Sequence, residues 1–283
     1  MVRVACLAAA IVVAAVTDSI IASAGVLEDA RAQAWFWPSP VADWKQEARG
    51  PEWFWSFRPT EAIEKRRALT HILVFSGTDL WRQGAFAHDG LLWTPAGAGR
   101  DGIVLKAIGS TGSYRYRSGA LGDVQVTGWT AGAAVMPGLH FTRHGVSVAA
   151  YAGVEMQWHR LSPFDPGNDL QGRHVGVRAA IDLWAEPTPQ SMVAASVTLT
   201  TIGGAYAARV AAGWRVFDRF YLGPEAIAYG GPDHRQLRIG AHVTALQTRL
   251  FAWRFEWQGG LGFAVDDDAN RGAYARLGVL WRH

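Results

Sequence analysis

From Thr70 to the C-terminus, hydrophobic and polar residues alternate with a period of two, which is the pattern of β-strands with one apolar face. In the last segment one face is apolar and the other carries polar residues and glycine. The two sets are Ala273, Ala275, Leu277, Val279 and Trp281 against Tyr274, Arg276, Gly278 and Arg282. The segment near residue 240 likewise places Leu237, Ile239, Ala241, Val243 and Ala245 opposite Arg238, Gly240, His242 and Thr244. Further segments of this kind lie near residues 178, 210 and 255.

The alternation predicts twelve strands, and an even number returns the C-terminus to the side where the chain enters, as in bacterial barrels. With the N-terminus on the periplasmic side, the connections 159–172 and 266–270 face outward. The short connections 186–190 and 217–219 then face inward. The predicted strands are 71–82, 84–94, 102–115, 123–136, 146–158, 173–185, 191–201, 206–216, 220–229, 235–246, 250–263 and 273–282.

The composition of the two faces separates a membrane barrel from a soluble β-sandwich, which also alternates. The polar face carries Arg, Glu, Asp and Gly in the middle of the strands, and the opposite face is almost purely Ala, Val, Leu and Ile. Strands of about 9–11 residues with this pattern are typical of transmembrane barrels. A buried sandwich face would carry more bulky side chains. We therefore predict an all-β fold, an antiparallel transmembrane β-barrel over residues 70–283.

The N-terminal quarter of the chain, residues 1–69, has a different character. Residues 1–34 resemble a secretion signal, with Arg3 before the apolar stretch 4–16 and small-residue cleavage sites after Ala24 and Ala34. Residues 35–69 hold five tryptophans and four prolines, and we interpret them as an N-terminal arm, periplasmic or folded into the lumen. A poorly ordered linker is the alternative for this segment.

Composition and charge narrow the possible functions. No uninterrupted apolar run of about 20 residues follows the first 30, so helical membrane spans are not expected. The 32 glycines and 14 tryptophans suit a barrel, where aromatic residues form girdles at the membrane interfaces. A net charge of +3 without a basic run does not indicate nucleic-acid binding. The single cysteine, Cys6, lies in the predicted signal, so a disulfide scaffold is not expected in the mature chain.

Several polar residues could suggest catalysis, but none has the spacing of a known motif. The connection after 158 contains a scattered Ser, His and Asp set without a nucleophile-elbow sequence: His159, Ser162, Asp165, Asp169 and His174. Residues 266–268 are acidic but lack the spacing of an EF-hand loop. The nine histidines show no paired metal-ligand spacing. We therefore expect no catalytic residue, no metal and no cofactor.

The inward-facing polar residues are the candidate functional residues. One interpretation is a plug of salt bridges, and the other is a polar path whose aromatic rings stack on sugars. The charged candidates are Asp79, Lys106, Glu155, Arg178, Asp182, Arg209, Arg215, Glu225, Arg238, Arg254, Glu256 and Arg276. The aromatic candidates are Trp81, Tyr114, Tyr151, Trp184, Tyr221 and Tyr274. The salt-bridged plug is the interpretation we favour.

Five blocks of sequence resemble the cellulose biosynthesis protein BcsS family, an accessory product of alphaproteobacterial cellulose operons. The blocks are 73–82 (LVFSGTDLWR), 160–176 (RLSPFDPGNDLQGRHVG), 182–196 (DLWAEPTPQSMVAAS), 213–225 (GWRVFDRFYLGPE) and 275–282 (ARLGVLWR). The resemblance implies a barrel in the outer membrane that is associated with cellulose production. It brings no catalytic motif, and the link to cellulose comes from the resemblance alone.

Together these observations lead us to expect a non-enzymatic outer-membrane barrel that assists export, anchoring or organisation of cellulose. Its expected partners are outer-membrane lipid, cellulose and subunits of the cellulose synthesis and export machinery. Two alternatives remain open: an outer-membrane enzyme that acts on lipid or glycan, and a small-solute pore.

Overall fold

The computed structural model describes residues 71–231, 234–250, 253–267 and 270–282. They form twelve strands in one closed antiparallel barrel, in which each strand pairs with its neighbours in sequence and β1 closes the ring against β12. The strands are β1 (Ile72–Trp81), β2 (Gly84–Trp93), β3 (Gly102–Ser118), β4 (Val124–Arg143), β5 (Val146–Ser162), β6 (Gly172–Thr188), β7 (Ser191–Thr200), β8 (Tyr206–Val216), β9 (Phe220–Gly230), β10 (Arg235–Leu250), β11 (Trp253–Asp266) and β12 (Arg271–Arg282). The predicted signal and arm lie outside the described residues.

The barrel prediction and the number of strands are confirmed, and the main difference is that β3 to β6 and β10 are longer than predicted. β4 continues through Pro137, although proline lacks the N–H that a ladder uses: Pro137 still aligns with Leu105 of β3, and the pairing of β4 with β5 is interrupted between Val135 and Gly138. The strand ends only at the turn formed by His144 and Gly145, whose φ angles of 51° and 80° are those of a two-residue hairpin. As a result β3, β4, β5 and β6 form a taller wall than the rest of the barrel.

The connections divide the barrel into two ends. At the loop end lie the connections 82–83, 119–123, 163–171, 201–205, 231–234 and 267–270. At the turn end lie the connections 94–101, 144–145, 189–190, 217–219 and 251–252. The predicted outward connection 159–172 is therefore shorter, because β5 extends to Ser162 and its residue His159 is part of a strand. The turn end also has one longer connection, 94–101, beside its tight turns.

The outer face of the barrel is apolar over most of its circumference. Outward residues such as Val175 and Phe263 are each 77% exposed, although they are hydrophobic. Large aromatic residues lie near both ends of the strands: Trp93, Phe141 and Trp214 at the turn end, and Trp129, Trp158 and Phe263 at the loop end. An apolar band between aromatic girdles is the surface that a barrel presents to lipid. Among the described residues no helix is long and apolar enough to cross a membrane.

A bulge in β10 corrects one assignment. The alternation placed Ala245 on the outer face with Val243, but Ala245 is buried and packs against Trp184 and Tyr221 inside the barrel. The pairing of β10 with β11 shifts register between Val243 and Leu246, and Ala245 has a φ of 62°. One extra residue in a strand reverses the parity that follows it, so period two alone assigns this residue to the wrong face.

Candidate functional site: the filled lumen

The lumen is filled by its own polar side chains. The side chains of Arg209 and Glu225 are only 3% and 0% exposed, and those of Lys106 and Asp182 are 7% and 4% exposed. A water-filled channel would leave the charged residues of its lining accessible to solvent. The inward polar residues are therefore in contact with one another rather than with a continuous column of water.

Glu225 of β9 is the centre of the largest ion-pair cluster. Its Oε2 accepts a hydrogen bond from Nε of Arg209 at 2.9 Å. Its Oε1 accepts hydrogen bonds from Nε of Arg276 at 3.0 Å and from the hydroxyl of Tyr274 at 3.1 Å. A Cβ at Gly260 would come within 2.0 Å of the same Oε1, so the wall at this position admits only glycine without rearrangement. One carboxylate thus accepts from two arginines and a tyrosine.

A second cluster lies beside the first and joins β1 to β10. Nη1 of Arg238 donates to Oδ1 of Asp79 at 2.6 Å, and its Nε donates to Gln236 at 2.6 Å. The Arg238 guanidinium also lies 4.6 Å from the ring centre of Tyr229 and 5.3 Å from that of Tyr274. Because Tyr274 also donates to Glu225, the two clusters form one continuous network.

On the other side of the lumen, Glu155 of β5 is held by three neighbouring donors. Nη1 of Arg178 donates to Oε1 at 2.7 Å, and the hydroxyl of Thr200 donates to Oε2 at 2.6 Å. The amide of Gln157 donates to Oε1 at 3.0 Å, and its oxygen lies 2.9 Å from Nε2 of His159. This chain of hydrogen bonds runs from mid-barrel towards the loop end.

Lys106 of β3 forms the third tie across the interior. Its Nζ donates to Oδ2 of Asp182, on β6, at 3.0 Å and lies 4.8 Å from the ring centre of Tyr151. Strands β4 and β5 separate Lys106 from Asp182 along the wall. Walls three strands apart in a twelve-stranded barrel are separated by on the order of 15 Å. The side chains therefore reach into the lumen to meet.

Near the turn end, the interior is filled mainly by aromatic side chains. Nη2 of Arg215 donates to the hydroxyl of Tyr221 at 2.7 Å, and its guanidinium lies 5.2 Å from the ring centre. The Tyr221 ring meets the Trp184 ring edge to face at a centroid distance of 5.9 Å. Nε1 of Trp184 in turn donates to Glu186 at 3.1 Å. Each polar tip of these large rings therefore has a partner, as buried Trp and Tyr require.

Connections at both ends fold against the barrel. At the loop end the hydroxyl of Tyr116 donates to Asp165 at 2.7 Å and accepts from Nδ2 of Asn168 at 2.6 Å. Asp165 is 1% exposed although it belongs to a connection, so 163–171 lies partly inside the mouth. At the turn end Ala98 joins the apolar cluster that contains Leu73 and Phe75. Both mouths of the lumen are thus narrowed on the side of β1 to β5.

Asp101 fixes the connection 94–101 to the end of β4. Its Oδ1 accepts from the backbone N–H of Thr142 at 2.7 Å, and its Oδ2 accepts from Arg143. The hydrogen bond from Thr142 and then that from Arg143 lower the pKa of this exposed carboxyl below its ordinary value of 3.8. The contact lies outside the membrane-spanning part of the barrel.

The family model for "cellulose biosynthesis protein BcsS" matches residues 73–283 of the chain. The chain belongs to this family. The match begins within β1 and runs to the last residue, so it covers the whole barrel and leaves the N-terminal region outside. The resemblance inferred from the five sequence blocks is therefore confirmed. No curated protein matches the chain.

Solved structures that are similar to this BcsS-family barrel share little sequence with it. The KdgM porin is 12% identical, with 74% of this chain and 98% of that chain covered and a TM-score of 0.39. The translocator domain of the autotransporter NalP from Neisseria meningitidis is 12% identical, with coverages of 79% and 93% and a TM-score of 0.44. The transport unit of the autotransporter AIDA-I from Escherichia coli is 10% identical, with coverages of 75% and 90% and a TM-score of 0.43.

From the charged and aromatic candidates named in the sequence, we single out thirteen as lumen or glucan-contact residues, and all of them point inward in the BcsS-family barrel. They are Asp79, Trp81, Tyr114, Tyr151, Glu155, Arg178, Asp182, Trp184, Arg209, Arg215, Tyr221, Glu225 and Arg276. Among the aromatic candidates, Tyr114, Tyr151, Trp184, Tyr221 and Tyr274 are buried, and Trp81 is partly exposed. Glu256 is also buried, and the side chain of Arg254 lies outside the described residues. The contacts of these rings are with protein, and whether any of them binds glucan remains a prediction.

The scattered Ser, His and Asp residues lie in different parts of the barrel. His159 lies in the lumen and bonds Gln157, whereas Ser162 is exposed at the end of β5. Asp165 accepts a hydrogen bond from the hydroxyl of Tyr116. Within the described ranges, no group of three or more His, Cys, Asp or Glu residues could hold a metal ion.

Several interior polar residues are not among the candidates named from the sequence. His140 lies 2.7 Å from the hydroxyl of Ser147, and Nδ1 of His242 lies 2.8 Å from the hydroxyl of Thr244. Tyr229 was also missed, although it contacts both Asp79 and Arg238. Strand parity places all of these side chains inside, and an inward histidine or hydroxyl in a filled barrel requires a hydrogen-bond partner.

Proposed function

We propose that this protein is a non-enzymatic outer-membrane component of cellulose biosynthesis that anchors or organises the polymer without conducting it through its lumen. Membership of the BcsS family supports the link to cellulose. The observation that carries the proposed mode of action is the set of ion pairs that ties distant strands together inside the barrel: Asp79–Arg238, Glu225–Arg276 and Lys106–Asp182.

Passage of a glucan would require these ties to break. Removing one member of a buried ion pair costs about 3–5 kcal/mol because the other charge stays buried without compensation. Several such pairs would have to open together, since Tyr274 couples the cluster around Glu225 to the cluster around Arg238. A filled interior therefore supports a role for the outer surfaces of the barrel rather than for a conduit.

Two further observations support the location and the lack of catalysis. The exposed apolar band with aromatic residues near both ends is suited to lipid, and bacterial barrels of this kind reside in the outer membrane. The lumen carboxylates Glu225 and Glu155 are each satisfied by two or more donors. Groups held in this way are poorly placed to act as an acid or a base on a substrate.

Membrane fractionation with heat-modifiable gel mobility tests the location. We expect co-sedimentation with the outer membrane and a shift in mobility on boiling. A soluble protein without the shift would contradict the proposed barrel in the outer membrane.

Deletion and complementation test the role in cellulose biosynthesis. We expect the deletion strain to lose cellulose from the cell surface, with total polymer synthesis less affected than attachment. The protein reconstituted in planar bilayers should show no sustained conductance. Discrete, long-lived channel openings, or a deletion strain with unchanged cellulose, would overturn the proposal.

A further inference from the structure

One sector of the outer face is polar where the rest of the barrel is apolar. We define the polar stripe as Ser76 and Thr78 of β1, Asp89 of β2 and Thr111 of β3. Asp89 is exposed and shares its face with Trp93, whereas the inward residues His88 and Leu92 of β2 are buried. Its carboxylate therefore points away from the lumen.

The register of β1 and β2 places Asp89 at the middle of the membrane band. Each strand has ten residues, about the length that a tilted strand needs to cross the hydrocarbon layer. The outward residues of β2 are Ala85, Ala87, Asp89, Leu91 and Trp93, and Asp89 is the central one. Its partner on β1 is Ser76, which is also central on its strand.

Comparable strands on the other side of the barrel are apolar at this depth. The central outward residues of β7, β8 and β9, which have ten or eleven residues each, include Ala195, Val210 and Ala226. A charged side chain on the lipid face is least favourable at the bilayer midplane. Asp89 thus differs from the apolar central outward residues of β7, β8 and β9.

The surroundings of Asp89 leave it open to approach from outside. On β3 its partner is Gly109, where an added Cβ would meet no atom within 4 Å. The outward neighbours Ala87 and Ala107 are small. Among the described residues, Asp89 forms no hydrogen bond or ion pair with another side chain. Small residues on a membrane-facing surface allow another chain to come close.

We propose that the polar stripe is an intramembrane docking surface for a second membrane-embedded protein that places a lysine or arginine at the depth of Asp89. The inference rests on the proposed outer-membrane location. An opposite charge and close contact across Gly109 would remove the carboxylate from lipid, which is how ionisable groups inside a membrane are usually accommodated.

A second copy of this chain does not supply the required charge. Two identical barrels related by an axis along the membrane normal bring residues of equal depth together. The central outward residues on β7 to β9 are apolar. The outward arginines of β3 to β6 lie near the strand ends, at the loop end for Arg115, Arg117, Arg160 and Arg173 and at the turn end for Arg143. A self-contact of the stripe would place two Asp89 carboxylates against each other.

Site-specific photo-crosslinking in intact cells tests the docking surface. A photoreactive amino acid is placed at Ala87, beside Asp89, and at Ala226 on the other side of the barrel as the probe control. We expect an adduct from position 87 with an outer-membrane protein, mapped by mass spectrometry to a lysine- or arginine-containing membrane segment. Position 226 should give no such adduct.

Three variants then examine the chemistry of the contact. Asp89→Leu removes the charge, and Gly109→Leu fills open space on the outer face, so neither disturbs the lumen. Asp89→Leu should lower the adduct yield by about tenfold or more, because losing one partner of a desolvated charge pair weakens binding at least this much. Gly109→Leu should lower the yield as well, because its side chain occupies the space through which the partner approaches. Ala195→Leu, a similar enlargement on β7, should leave the yield unchanged.

The outcomes separate the docking surface from the proposed function. An adduct of two copies of this chain, an adduct with lipid alone, or a yield unaffected by Asp89→Leu would overturn the docking surface while the location stands. Each variant is also fractionated and checked for heat-modifiable mobility. A wild-type protein that is absent from the outer membrane would overturn both proposals.

Discussion

Two carboxylates in this barrel, Glu225 and Asp89, lie in opposite environments. Glu225 faces the lumen and is held by Arg209, Arg276 and Tyr274. Asp89 faces outward from the middle of β2, has small neighbours, and forms no ion pair with another residue that the structure describes. Among the described residues, the carboxylate of Glu225 is thus paired with cations and that of Asp89 is not.

The difference separates charges that stabilise the fold from a charge that needs a partner. Inside the barrel, each cluster has at least one cation for each carboxylate, as buried ion pairs require. On the outer wall, the fold gains nothing from Asp89, since lipid solvates a carboxylate poorly. We therefore expect opposite effects on stability when each carboxylate is replaced by leucine.

The largest expected effect is that of Glu225→Leu. The change leaves two buried arginines without their shared carboxylate, so the free energy of unfolding should fall by about 3–5 kcal/mol. Urea unfolding of the protein refolded in lipid vesicles, followed by heat-modifiable mobility, would measure it. Glu225→Gln, which keeps the shape and an acceptor oxygen, serves as the control and should lose less. Equal stability of Glu225→Leu and wild type would show that the ion pairs of Glu225 do not stabilise the folded barrel.

The pair formed by Asp79 and Arg238 gives the next largest effect and a test of coupling. Arg238→Met alone should cost about 3 kcal/mol, because Asp79 then stays largely buried without its cation. The double variant Arg238→Met, Asp79→Leu should recover most of that loss, since replacing both partners by apolar residues is often near neutral. A double-mutant cycle in urea measures the coupling free energy. If the losses of unfolding free energy in the two single variants simply add in the double variant, the contact between Asp79 and Arg238 is not the cause of the destabilisation.

These clusters also show how far the sequence can be used to predict this protein. Strand parity assigns the inward residues correctly until the bulge at Ala245, because side chains alternate strictly while the register holds. Parity cannot tell which inward residues meet. Asp79 and Arg238 are 159 positions apart in sequence, and only the order and stagger of the strands around the closed ring bring them together.

On the outer face, the sequence alone predicts which residue is unusual but not its surroundings. Parity alone places Asp89 on the same face as Leu91 and Trp93, where an acidic residue is out of place. Predicting that Asp89 lies at the middle of the membrane band requires the exact ends of β2. Predicting that its carboxylate is uncovered requires the neighbouring residues on β1 and β3, which are Ser76 and Gly109. Sequence therefore predicts that the residue is unusual, and structure shows why no side chain of the described barrel compensates it.

A smaller effect of opposite sign is expected for Asp89→Leu. The isolated barrel in lipid vesicles should gain about 1–2 kcal/mol in unfolding free energy, because a charged side chain on the lipid face at mid-depth destabilises a barrel. The gain is small because an acidic residue there costs less than a lysine or arginine. Asp89→Asn should give an intermediate gain. The same urea titration measures both variants. A loss of stability in Asp89→Leu would mean that the carboxylate has a stabilising partner within the chain.

The smallest effect concerns Asp101 at the turn end, where the pKa of the carboxyl lies below its ordinary value because Thr142 and Arg143 donate to it. A carboxyl with a lowered pKa in the folded state stabilises the fold above the unfolded pKa, and the contribution disappears as the pH falls through the folded pKa. We therefore expect wild type to unfold at slightly higher urea than Asp101→Asn at pH 6, with the difference shrinking below pH 3.8. Urea midpoints of both proteins across this range measure the effect. A difference that grows as the solution is acidified would show that Asp101 is protonated more easily in the folded barrel, contrary to its contacts with β4.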